Sequence, residues 1–139
     1  MARLQREQHA YDQYANFSTF LCASALQRIS ASQDAGYVQR WDELNSIIEQ
    51  WYESRPSQMR PVFTSFDKTK DTFPIIVFSN PPAISGNQMF HSASLLMLQA
   101  KPKRGKTRSS KSTFWHARQI VGISASNCNQ YVKPTWLTA

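Results

Sequence analysis

The sequence predicts an all-α domain of about four helices, with a proline-rich extended segment between helices two and three. Three observations carry this expectation. Apolar residues recur at spacings of three and four through most of the chain, the period of a helix with one buried face. Five of the seven prolines (Pro56, Pro61, Pro74, Pro81, Pro82) fall between residues 56 and 84, where no helical period runs. Only one compact β-like stretch, Phe73-Pro-Ile-Ile-Val-Phe78, is present, and no second β-rich run stands ready to pair with it. With 139 residues, 41% of them apolar and 12% aromatic, the chain is long enough for one core and too short for two, so residues 1–139 read as a single domain.

The first helix is expected from about Arg3 to Ile29, where Tyr11, Tyr14, Ser18, Leu21, Ala25 and Ile29 share one stripe. Phe17, Phe20, Cys22 and Leu26 widen that stripe, which implies neighbours on two sides. A small, polar turn follows at Ser30–Gly36. The second helix spans roughly Tyr37 to Ser54, with Val38, Trp41, Leu44, Ile48 and Trp51 on its apolar face and Asp34 as a candidate cap. Pro56 stops it, because the residue before a proline is disfavoured in the helical region. Phe73–Phe78 is then expected as an extended segment laid across helices rather than part of a sheet. The third helix starts either at Asn80-Pro81 or at the capping-box pattern Ser85-Gly-Asn-Gln88, and the range 85–100 follows the second choice. Apolar residues surround nearly all of its second half, so it should be the buried central helix. The fourth is expected over 112–126, with Phe114, Trp115, Ile120, Val121 and Ile123 as its apolar surface and Asn127-Cys-Asn129 as its end.

Charge is unevenly spread. The formal net charge is +7, yet residues 1–71 hold eight basic and nine acidic side chains, while residues 72–139 hold eight basic and no acidic ones. Any catalytic carboxylate must therefore come from the first half, and only three histidines exist (His9, His91, His116). A hydrolytic dyad or a carboxylate-rich Mg²⁺ or Ca²⁺ site has few possible members, and no enzyme is expected. No run approaches the 18 or so apolar residues of a membrane helix, and no signal-peptide pattern opens the chain. Two cysteines 106 positions apart, Cys22 and Cys128, make neither a disulfide scaffold nor a cysteine-based zinc site. An intracellular, reduced and soluble domain is the expectation.

The most conspicuous polar feature is Lys101-Pro-Lys-Arg-Gly-Lys-Thr-Arg108, five positive charges in eight residues, with Lys111 close behind. Lys101, Lys103, Arg104, Lys106, Arg108 and Lys111 read as a nuclear-import or phosphate-contacting loop, or as a solvated connection between two buried helices. Gly105-Lys-Thr107 resembles the end of a phosphate-binding loop, but Ala100 stands where the pattern needs glycine and a helix precedes it instead of a strand. His91 and His116 lie on the two helices expected to be buried and could meet in space, with Cys128 as a third candidate zinc ligand. The spacing matches no zinc pattern, so core histidines are the expected state and no metal site is assigned. Trp41, Trp51 and Trp115, at helical spacing beside Leu and Ile, read as core rather than as base-stacking platforms.

Beyond these features the sequence resembles a known family. Trp41-Asp-Glu-Leu44, followed by Trp51-Tyr-Glu-Ser-Arg-Pro56, is similar to a stretch in the regulatory region of fungal zinc binuclear cluster transcription factors of the ARCA-like kind. Phe73-Pro-Ile-Ile-Val-Phe-Ser-Asn-Pro81, read with Ser85-Gly-Asn-Gln88, resembles the same region. His91-Ser-Ala-Ser-Leu-Leu-Met-Leu98 closing on Lys101-Pro102 looks like its leucine-rich central helix. Trp115-His-Ala-Arg-Gln-Ile-Val-Gly-Ile-Ser124 looks like its next helix, and Pro134-Thr-Trp-Leu137 like the opening of a further one. The family order is kept from about residue 38 to the last residue. The resemblance implies an all-α, non-catalytic regulatory module of a nuclear transcription factor. Such a module acts through other parts of the factor, through coregulators or through a small-molecule inducer.

The family's six-cysteine zinc cluster is not in this sequence. Zinc is therefore expected only if such a cluster lies outside the chain, and direct DNA reading by these residues is not expected. The family has further helices before Trp41 and after Trp136, so the chain reads as a piece of the domain, with exposed apolar patches and marginal stability when isolated. The alternative is a stand-alone basic protein that binds nucleic acid non-specifically through residues 72–139.

Overall fold

The structure, a computed structural model, describes residues 1–70, 72–103 and 111–131. It is all-α, 70% helical, with one small hairpin. The elements run α1 (Ala2–Ser30), α2 (Tyr37–Glu53), a single 3₁₀ turn (Ser57–Met59), β1 (Phe63–Ser65), β2 (Ile75–Val77), α3 (Pro81–Gln99) and α4 (Thr113–Tyr131). No helix is long and apolar enough to cross a membrane among the described residues. The basic positions Arg104, Lys106 and Arg108, and the tail from Pro134, lie outside the described residues.

Helix α3 is the centre of the molecule, as its apolar circumference implies, and α1, α2 and α4 all pack against it. It buries Ala83, Phe90, Ala93 and Met97 among others. Its start corrects the expected range of 85–100. Asn80 caps it, with Oδ1 accepting the Ala83 N–H at 2.9 Å, and Pro81 occupies the first turn, where a missing N–H costs nothing. The side chain of Asn80 also donates to Gln58 O at 2.8 Å, so one residue ends the irregular segment and begins the helix. Ser85 therefore sits inside the helix instead of opening it.

The longest contact is between α1 and α3, and small residues permit it. Ala15, Ser18 and Ala25 on α1 are buried. Gly86 on α3 sits so close that an added Cβ would lie 3.3 Å from the Ala15 backbone and 3.0 Å from the Met59 terminal methyl. The wider stripe predicted for α1 is only partly used. Phe17, Phe20, Leu26 and Ile29 remain exposed, Phe20 at 62% of its surface.

Helix α2 closes the bundle with Tyr37, Trp41, Ile48 and Trp51. Its aromatic residues bury their rings and still satisfy their polar tips. Trp41 Nε1 donates to Met97 O at 2.9 Å and the Tyr37 hydroxyl to Ala100 O at 2.7 Å, so two residues one turn apart on α2 serve carbonyls that the end of α3 leaves without partners. Trp51 Nε1 donates to Tyr14 O at 2.9 Å, and the Tyr14 hydroxyl donates back to Trp51 O at 2.5 Å. Trp41 and Trp51 are thus core, as expected, while Trp115 is half-buried. Asp34 does not cap α2 directly. Its carboxylate accepts from Gly36 N at 3.1 Å and from the Arg40 guanidinium at 2.6 Å, bracing the turn before the helix.

The expectation of an unpaired extended segment is wrong. β2 pairs antiparallel with β1, in the register Phe63↔Val77, Thr64↔Ile76 and Ser65↔Ile75. Phe63–Ser65 is too short to announce itself as a strand. The other edge of β2 is completed by α4: Ile76 N donates to Ser126 Oγ at 3.0 Å, Phe78 N to Asn127 Oδ1 at 3.1 Å, and Asn127 Nδ2 to Ile76 O at 2.8 Å. The Asn127 amide stands in for a neighbouring strand's peptide group. That role corrects the expected end of the fourth helix at 126, because Asn127 lies buried inside a helix that continues to Tyr131. Its amide also reaches Ile123 O at 2.7 Å, which keeps the side chain compatible with helical backbone. Of the apolar residues expected to bury on this helix, Ile123 does so, whereas Phe114 and Val121 are exposed.

Candidate functional site

His91 on α3 and His116 on α4 meet where the two helices cross. Their Nδ1 atoms are 3.0 Å apart and both side chains are buried. Burial pushes the His91 imidazole down to about 3, helped by His116 and Arg55 nearby. Burial likewise pushes His116 down to about 4, with Lys111 contributing. Both rings are therefore neutral at pH 7, and the short contact is a hydrogen bond in which one Nδ1–H donates to the other Nδ1.

Aromatic rings enclose the pair. Trp115 lies edge-on to His91 with ring centres 5.4 Å apart, and Phe90 is 6.0 Å from His116. Tyr52 stacks on Phe90 at 4.3 Å, and the Arg55 guanidinium lies 3.5 Å above Tyr52. Arg55 then donates to Asn87 Oδ1 at 2.5 Å, and the Asn87 amide donates to Met59 O and Ala83 O at 2.8 and 2.7 Å. Half-buried Arg55 and fully buried Asn87 form a polar knot that fixes the 3₁₀ turn to α3 beside the aromatic ladder.

Between α2 and α4 the ladder opens into a cleft of about 460 Å³, lined by Glu49, Tyr52, Glu53, Phe90, Trp115 and His116, with Lys111 at its edge. The Lys111 ammonium lies 5.0 Å from the Trp115 ring centre, within the range of a cation–π contact. The arrangement offers flat apolar walls, one neutral imidazole, two carboxylates and one ammonium. It suits a small polar aromatic guest.

The candidate grouping of His91, His116 and Cys128 does not come together. Cys128 is exposed on α4, twelve residues beyond His116 or roughly 18 Å along the helix, and its thiol donates to Ala125 O at 3.4 Å. Among the described residues no three metal-ligating side chains come together. Of the basic loop, Lys101, Lys103 and Lys111 are exposed, and Arg104, Lys106 and Arg108 lie outside the described residues. The loop's two roots are well anchored: Pro102 is buried beside the end of α3, and Lys111 stands over Trp115.

The sequence leaves a meeting of His91 and His116 open beside the plainer expectation of separate core histidines, and the structure shows them bonded to each other; Arg55 and Asn87 it does not mark. Arg-Pro after an amphipathic helix and an Asn within a helix carry no pattern of their own, and their partnership spans 32 residues. Fold and cleft together define a helical domain with a histidine–aromatic cleft that Lys111 borders. Comparison of the chain with family models, with curated proteins and with solved structures returns no match in any of the three.

Proposed function

We propose that the chain is a non-catalytic regulatory and interaction module of the fungal transcription-factor kind, acting in the nucleus on RNA polymerase II transcription without reading DNA itself. The observation that carries this reading is the uncovered apolar surface of α1. Phe17 and Phe20 stack on each other 6.0 Å apart on the outside of the bundle, and Leu26 and Ile29 are exposed separately, further along α1 and on its other flank. Apolar rings displayed beside a well-packed helix pair favour association with further protein elements. The stretches that resemble the family lie within helices, Trp41 and Trp51 on α2, His91–Leu98 on α3 and Trp115–Ser124 on α4, which supports the reading without deciding the family. Other parts of a transcription factor or coregulators are the partners this reading names, and a small-molecule inducer would find a suitable cleft beside His116.

The test is a tethering assay. Fused to a heterologous DNA-binding domain in a fungal nucleus, the chain should shift reporter output away from that of the DNA-binding domain alone. The triple change Phe17→Ser, Phe20→Ser, Leu26→Ser should return output to baseline while the purified variant melts as before. A fusion indistinguishable from the DNA-binding domain alone refutes the proposal.

A second reading, non-specific nucleic-acid binding, is favoured by one observation: residues 72–139 hold eight cations and no acid. It requires affinity that falls by orders of magnitude between low and physiological salt, and that disappears when Lys103, Arg104, Lys106 and Arg108 are neutralised together. Unchanged binding by that variant eliminates it.

A further inference from the structure

The hairpin has two outer edges, and α4 closes only one of them. On β2 the N–H of Ile76 donates to Ser126 Oγ at 3.0 Å, and its C=O accepts from Asn127 Nδ2 at 2.8 Å. Peptide groups point alternately to the two sides of a strand, so those of Ile75 and Val77 turn to β1, where they meet Ser65 and Phe63. Thr64 lies between these two and turns the other way. Its N–H and C=O face away from the sheet, all three residues of β1 are exposed, and no third strand lies beyond them among the described residues.

An open edge is a template for a further strand. Edges are commonly blunted by lysine, proline or an inward charge, and Phe63-Thr64-Ser65 carries none of these. The flanking charges are turned elsewhere. The Arg60 guanidinium donates to Arg55 O at 3.0 Å and to Glu53 O at 3.3 Å, and Asp67 Oδ1 accepts from the Thr69 N–H and hydroxyl at 2.9 and 2.6 Å. The segment is also its own complement. Around a two-fold axis at Thr64, antiparallel pairing sets Thr64 against Thr64 with two backbone hydrogen bonds, Phe63 against Ser65, and Val62 against Phe66. Large meets small in the first of these side-chain pairs. In the second an aromatic ring meets a β-branched side chain, a favourable cross-strand pair that the symmetry makes twice. Val62, Phe63, Phe66, Phe73 and Ile75 on the hairpin are each between 49% and 63% exposed. Covering them in two copies removes roughly 1,000 Å² from water, the lower bound of a specific interface.

We propose that two copies of this chain pair through β1, antiparallel about Thr64, into one four-stranded sheet whose outer edges are both closed by α4. A two-fold pair consumes the open edge of each copy and leaves none for a third, so assembly stops at two. An interface of this size makes a weak pair, with a dissociation constant of roughly micromolar order. The assignment stands on the hairpin, is independent of the α1 surface, and holds whether or not the chain regulates transcription.

Sedimentation equilibrium of the purified full chain tests it. The mean mass should rise from one chain toward two between about 1 μM and about 1 mM and go no higher. Thr64→Pro deletes the outward N–H without removing a bond between β1 and β2, and Thr64→Lys sets two ammonium groups against each other at the axis. Both variants should stay at the mass of one chain throughout, with parental melts recorded at the dilute end; if Thr64→Pro does not fold, Thr64→Lys decides alone. The pair Phe17→Ser/Phe20→Ser should associate as the parent does. A parent that stays single across the whole range would overturn the proposal, as would pairing undiminished in Thr64→Lys. Growth beyond two copies would overturn the closed two-fold, and pairing lost in the Phe17/Phe20 variant would move the interface to α1.

Discussion

Replacing Gly122 by alanine separates helix propensity from tertiary packing. On propensity alone, Gly→Ala within a helix stabilises by about 1 kcal/mol. Here the new methyl group would run into Pro74, meeting its carbonyl oxygen and lying 2.9 Å from Cγ and 3.2 Å from Cδ. None of these atoms is a flexible side-chain end. Relief requires the backbone at Pro74 to move away from α4. Two residues further on, Ile76 is held to that same helix through Ser126 and Asn127. Overpacking costs about 1–3 kcal/mol, and each strand hydrogen bond loosened by the shift adds about 1 kcal/mol. Against the propensity gain, the net expectation is a loss of about 2 kcal/mol, seen as a fall of roughly 6 °C in Tm. Urea unfolding followed by tryptophan fluorescence, alongside a thermal melt, measures both. Gly36→Ala is the control, because its one short contact, Arg40 Nη1 at 2.5 Å, is the end of a side chain that can swing aside at the cost of its exposed, weakly stabilising pair with Asp34. That variant should stay within about 0.5 kcal/mol of the parent. A Gly122→Ala protein as stable as the parent, or more so, would refute the seating of Pro74 on α4.

Asn127→Ala removes the amide that serves Ile76 O and Phe78 N and leaves two buried strand groups without that partner, so a loss of about 2–4 kcal/mol is expected by urea unfolding. Asn127→Asp should also be destabilising, since a carboxylate keeps the acceptor for Phe78 N but has no donor for Ile76 O; parental stability in both variants would remove the staple. The histidine pair sets a pH dependence with a definite sign. Both folded-state values lie below the ordinary histidine value of 6.5, so in mild acid the unfolded chain binds more protons and stability falls as pH falls. The loss should begin near pH 6.5 and continue through the folded values of about 4 and 3. Between pH 7 and pH 5 it amounts to about 2 kcal/mol for each ring. Unfolding free energies at several pH values test this, and His116→Gln should flatten the slope by about half. Trp41→Phe keeps most of the buried ring and deletes the bond to Met97 O, so about 1–3 kcal/mol should be lost, with fraying of the end of α3 visible in hydrogen exchange.

The four helices were legible because each carries a 3.6-residue apolar stripe, and the central place of α3 because its stripe has no polar side. That placement left His91 and His116 within reach of each other, and the structure joins them. What escaped notice depends on single amides acting over long sequence distances. Asn80, Asn87 and Asn127 look alike in a sequence: polar, turn-prone, suited to helix ends. In the structure Asn80 does cap a helix, Asn87 lies within one and ties it to the 3₁₀ turn, and Asn127 replaces a missing strand. Only the partner decides which, and the partners lie up to 51 residues away. The hairpin was invisible for a related reason. β1 is three residues long and wholly exposed, so neither alternation nor burial marks it. Likewise, Phe66, Phe73 and Phe114 are ordinary apolar residues until the Arg118 guanidinium gathers them.

The attachment of β2 to α4 through side chains also bears on how the protein breathes. A strand bonded on both edges by other strands opens with its sheet. Here the N–H groups of Ile76 and Phe78 are held by Ser126 and Asn127, residues of a helix. Their exchange with solvent deuterons should therefore keep time with α4, while the Val62 N–H, bonded to Val77 O at 2.8 Å, follows the separation of β1. Two adjacent layers of one hairpin belong to different cooperative units, and the boundary between them runs along the backbone of β2.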